Sequence, residues 1–91
     1  MIAKMREIEV HELIGLSVKV VKAASLDLVG VSGVVVDETK NTLVVQTKSG
    51  GKIVPKEGST FEFQFRGKSE LLDGGRICFR PEDRLKKVKK G

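Results

Sequence analysis

The chain has 91 residues and a formal charge of +5, with 40% hydrophobic and 32% charged residues. A domain of this size buries only about 60% of the surface its unfolded chain exposes, and no apolar run approaches the roughly 18 residues that a membrane span needs. One cysteine and one histidine exclude an intrachain disulfide and a Cys/His zinc cluster.

The chain opens with "MIAKMREIEVHELIG", which carries charges at Lys4, Arg6, Glu7, Glu9 and Glu12 where a signal peptide needs an uninterrupted apolar stretch. A cytoplasmic protein is the resulting expectation. Residues 6–15 are expected to be helical, with Ile8, Leu13 and Ile14 on one side and Gly15 as the stop. Short strands follow. "SVKVVK" (17–22) alternates apolar and polar at its start, and a valine run spans 31–39. Gly30 and Gly33 stand near its beginning, where glycine marks a bulge or a sharp coil. The patch "ETKN" predicts a hairpin closed by Asn41 in a left-handed conformation, leading into a strand over 42–48. Gly50 and Gly51 then turn the chain into a strand over 52–55.

"TFEFQF" alternates strictly, which places Phe61, Phe63 and Phe65 on one face. Aromatics beside basic residues can stack on bases, but a chain with only four aromatic residues needs three on one strand face for its core. Gly74 and Gly75 predict a turn into a last strand, "RICF", with Ile77 and Phe79 inward and Cys78 as a small buried hydrophobe. Five or six antiparallel strands at this spacing predict a mainly β fold, a small SH3-like or Sm-like barrel, because a flat sheet would leave long unpaired edges. The whole chain, 1–91, reads as one domain with its barrel core over about 16–80. In the tail, 81–91, Pro81 opens a short helix with Glu82 and Asp83 in its first turn and lysines at its end.

The charge is unevenly distributed. Residues 1–65 carry eight basic and eight acidic side chains, whereas residues 66–91 carry nine basic and four acidic ones. That asymmetry fits a polyanion partner, since each phosphate neutralised by Lys or Arg releases condensed counterions. It fits a solubilising tail as well. Nothing suggests catalysis by the chain itself. Asp37 and Glu38 are adjacent, so their side chains diverge and read as solvated turn residues. His11 reads as an ordinary surface or interface histidine, and "SGGK" lacks the strand and helix context of a phosphate loop. No metal ligand set or cofactor is expected.

Taken in order, "HELIGLSVKVV", "GVSGVVVDETKNTLVV", "KIVPK", "FEFQF" and "RPEDRLKK" resemble the protein component 1 family of archaeal ribonuclease P, from about Glu12 to Lys87. The resemblance implies an Sm-like barrel inside a ribonucleoprotein whose RNA, with magnesium, removes the 5′ leader of precursor transfer RNA. It implies two partners: the ribonuclease P RNA and a small zinc-ribbon protein subunit. Lys52 and Lys56 match the family's basic positions around "VPK", and Arg80, Arg84, Lys86 and Lys87 match its basic C-terminal motif. With Arg76 they are the candidate RNA contacts. Val10, Leu13 and Ile14 fall in the segment that resembles its partner-binding helix. The alternatives are a ribosome-associated SH3-like barrel and a ring-forming Sm-like subunit.

Overall fold

The computed structural model describes Ile8 and residues 11–79. The expected C-terminal helix over 81–91, with Arg80, Arg84, Lys86 and Lys87, lies outside these residues, as does Val10. Six strands form one antiparallel sheet: β1 (Ser17–Lys22), β2 (Ser32–Glu38), β3 (Thr42–Thr47), β4 (Gly50–Pro55), β5 (Thr60–Phe65) and β6 (Lys68–Asp73). Two 3-10 turns interrupt them, one at Leu26–Leu28 and one at Gly74–Ile77. No helix among the described residues is long and apolar enough to cross a membrane.

The strand order is β4-β3-β2-β1-β5-β6. The expectation of a barrel is therefore corrected: β4 and β6 stand at opposite ends of an open sheet, and no ladder among the described residues joins them. Part of the reason is Pro55 at the end of β4. Proline has no N–H to donate, so it belongs on an edge strand. The sheet nevertheless curls around one core, to which every strand contributes. Val18 and Val20, Val35, Leu43 and Val45, Val54, all three phenylalanines of β5 and Leu72 are buried together with Ile8, Leu13 and Ile77. The phenylalanines are thus core residues and offer no stacking platform; Phe61 and Phe63 meet each other at 5.8 Å.

The turns explain the register. β5 and β6 are joined by Arg66 and Gly67, with Phe65 opposite Lys68 and φ of 54° and 79° at the two turn residues. Two successive left-handed residues characterise a type I′ turn, whose twist suits paired strands. The hairpin after β2 closes differently from the expectation, because Asn41 has no positive φ. Instead, Thr39 N–H donates to Thr42 O at 3.0 Å and Thr42 N–H donates to Thr39 Oγ1 at 3.1 Å. The bulge falls at Val36, between the pairs Val35–Val45 and Asp37–Val44, and not at the glycines. Gly33 serves close approach: a Cβ there would lie 2.0 Å from the carbonyl oxygen of Gln46.

Two further segments depart from the sequence reading. β6, "KSELLD", has adjacent leucines and no alternation to announce it; Leu72 is buried and Leu71 is 56% exposed. "RICF" is not a strand, since its first two residues complete the turn Gly74–Ile77, which opens with Asp73 Oδ1 accepting from Gly75 N–H at 2.9 Å. Residues 11–15, expected to be helical, form bends and turns. Gly15, at φ 97°, donates its N–H to Val35 O at 2.8 Å, which ties this segment to β2. His11 packs edge-on against Phe65 with ring centroids 4.9 Å apart.

Candidate nucleic-acid interface

Residues directly opposite in an antiparallel ladder share a face, so the register sorts the side chains of β2, β3 and β4 into rows. Glu38, Leu43 and Val54 form one inward row, and Val35 and Val45 form the next, at whose outer end Lys52 is exposed. The bulge at Val36 decides which acid enters. Without it Asp37 would share the parity of Val35; with it Asp37 is exposed and Glu38 is buried. The reading of both as solvated turn residues is therefore corrected for Glu38.

Lys52, Val54 and Lys56 follow one alternation, yet they end in three environments. Lys52 is exposed at the start of β4, Val54 is in the core and Lys56 is fully buried. The Lys56 ammonium donates to Glu38 Oε2 at 2.8 Å, Thr39 O at 2.6 Å, Ile77 O at 2.8 Å and Phe79 O at 3.1 Å. Three ammonium protons facing four acceptors leave none for a phosphate. Lys56 is thus withdrawn from the candidate RNA contacts: its charge is consumed inside the fold. The sequence held one clue, since two residues on from an inward valine an alternating strand points inward again.

The partner-binding candidates are divided in the same way. Leu13 is fully buried in the core and cannot present its side chain to another protein, whereas Ile14 is 41% exposed. Arg76 is exposed on the 3-10 turn Gly74–Ile77. Cys78 is half-buried, its thiol against Gly74 O at 3.4 Å.

Two depressions meet at the start of β2. One, of about 730 Å³, is lined by Gly30–Gly33, by Gln46–Ser49 and by Lys52. The other, of about 350 Å³, includes Lys19, Val34, Glu62 and Gln64, and it shares Ser32 and Gly33 with the first. Gly33, half-buried against Gln46 O, lies between them, and Lys19, Lys48 and Lys52 stand exposed along the combined trough. Sequence reasoning missed Lys19 and Lys48. Their signals were the outward parity of Lys19 between two buried valines and the position of Lys48 in a two-residue turn. Among the described residues no group of three His, Cys, Asp or Glu side chains could hold a metal ion.

Residues 6–87 match the model of the family described as ribonuclease P/MRP, subunit p29. The chain belongs to that family. It is 47% identical over 78 residues to ribonuclease P protein component 1 of Methanocaldococcus jannaschii, an alignment covering 85% of this chain and 82% of the relative. The component 1 protein of Archaeoglobus fulgidus is 46% identical over 81 residues, covering 89% and 79%. A solved structure of Mth11, described as a homologue of human RNase P protein Rpp29, superposes with a TM-score of 0.61 at 43% identity, covering 81% of this chain and 97% of that one. Within the p29 family, then, the resemblance seen in the sequence is confirmed.

Proposed function

We propose that this chain presents a basic trough to the ribonuclease P RNA. The chain is a non-catalytic, RNA-binding protein subunit of ribonuclease P, acting with the catalytic RNA in precursor transfer RNA processing. The observation that carries this is the family match across residues 6–87. It favours ribonuclease P over the ribosomal and ring-forming alternatives. Lys19, Lys48 and Lys52 along the trough would neutralise backbone phosphates. Such contacts recognise shape and charge more than base identity. Arg76, exposed on the turn Gly74–Ile77, and Arg80, Arg84, Lys86 and Lys87 are further candidate phosphate contacts in this reading.

The zinc-ribbon subunit is part of the same proposal, with Ile14 and Val10 as its remaining candidate contacts. Reconstitution tests the whole. Adding this chain and the zinc-ribbon protein to the RNA should restore precursor cleavage at magnesium concentrations where the RNA alone is inactive, and omitting this chain should abolish the gain. Equal cleavage with and without it would refute the reading.

A further inference from the structure

A buried ion pair is an expensive way to hold a small domain together. Replacing such a pair with apolar residues of similar size is often neutral or stabilising, so the pairing with Glu38 does not by itself call for a lysine at position 56. What a cation does and a methionine cannot is hold backbone carbonyls. Three of the four Lys56 acceptors are carbonyls, and they come from two distant parts of the chain: Thr39 in the β2–β3 hairpin, and Ile77 and Phe79 beyond β6. The second group lies where "RICF" leaves the sheet.

The surroundings support the same role. Lys56 N–H donates to Asn41 O at 2.7 Å, and Gly74 N–H donates to Ser59 O at 2.9 Å. A Cβ on Gly74 would lie 1.8 Å from Lys56 O, so the turn Gly74–Ile77 is seated directly on the residue 56 backbone. The open sheet is thereby spanned between its two ends by an ammonium group and a close backbone contact. Phe79 is the last described residue, and Arg80 with the basic segment of residues 84–90 follows it in sequence.

We propose that Lys56 is a positioning residue for RNA binding: its ammonium pins the chain at Ile77 and Phe79 to the β2–β3 hairpin, fixing the point from which the basic C-terminal segment reaches the RNA. This rests on the reading of Arg80, Arg84, Lys86 and Lys87 as phosphate contacts. A fixed root reduces the conformational freedom those side chains lose on binding.

The test uses full-length protein and the ribonuclease P RNA, titrated at a temperature where every variant is folded. Lys56→Met alone leaves Glu38 buried without its partner and can fail to fold, so the decisive variant combines it with Glu38→Met. The double variant should keep its β-sheet circular dichroism at the titration temperature and melt lower, because the Thr39, Ile77 and Phe79 carbonyls lose their donor, while the Phe79 amide exchanges faster. It should bind RNA roughly tenfold more weakly, the scale of the ordering cost for one or two long side chains. A charge variant, Arg80→Ala, Arg84→Ala, Lys86→Ala and Lys87→Ala together, should also bind weakly. Combining it with the double variant should add little further loss. Wild-type affinity in the double variant, unchanged exchange at Phe79, or losses that multiply as independent effects would each overturn the proposal. If the charge variant alone binds RNA normally, the tail reading fails first and takes this proposal with it.

Discussion

At the scale of single residues, Glu38 and Gly33 show how little of a side chain's role is written in its type. Glu38 is buried because one extra residue at Val36 reverses the parity of β2, and Lys56 meets it because Pro55 ends β4 one residue after the buried Val54. Gly33 is set by distance. Its backbone and Gln46 O leave no room for a methyl group, so Gly33→Ala must push β2 away from β3. Overpacking of this kind costs about 1–3 kcal/mol, which is a large share of a small domain's stability. Urea denaturation should show the midpoint fall accordingly, and an unchanged midpoint would mean that the strands separate without strain.

At the scale of elements, the strands that were legible are those with valine or phenylalanine at every second position. β5 matched its expected span, because strict alternation leaves one face for the core and burial on that face selects the register. β6 was not legible. Which of Leu71 and Leu72 faces the core is set by the pairing of β6 with β5 through the tight turn at Arg66 and Gly67. That turn is a testable cause. Gly67→Ala places a Cβ at φ 79°, and a left-handed non-glycine residue costs roughly 1–2 kcal/mol. The variant should lose that much in denaturant titration, with hydrogen exchange rising first in β6.

At the scale of the whole molecule, the fold separates its lysines by environment: one is committed to the interior, and others are displayed along the trough. Lys48→Ala with Lys52→Ala should therefore weaken RNA binding at low salt and make the log–log salt dependence shallower by roughly 1.4–1.8, at 0.7–0.9 for each phosphate no longer neutralised. The same pair should leave the melting temperature within about 1 °C, because both side chains are exposed and surface substitutions away from packing features are usually close to neutral. An unchanged salt slope would move the RNA surface elsewhere on the sheet.

The amino-acid sequence by itself determined the β-rich class, five of the six strands, the inward face of β5 and the family, because alternation and local motifs are properties of neighbouring residues. Tertiary structure decided that the sheet stays open, that "RICF" turns instead of pairing, that Leu13 is core and that Lys56 is an internal anchor. Each of these depends on what lies across space: an edge without a ladder partner, a bulge one strand away, and carbonyls 17 to 23 residues distant in sequence. Lys52 and Lys56 look equivalent in "KIVPK", yet one meets solvent and the other meets Glu38, because the β2–β3 hairpin and the chain at Ile77 and Phe79 enclose Lys56 and leave Lys52 exposed.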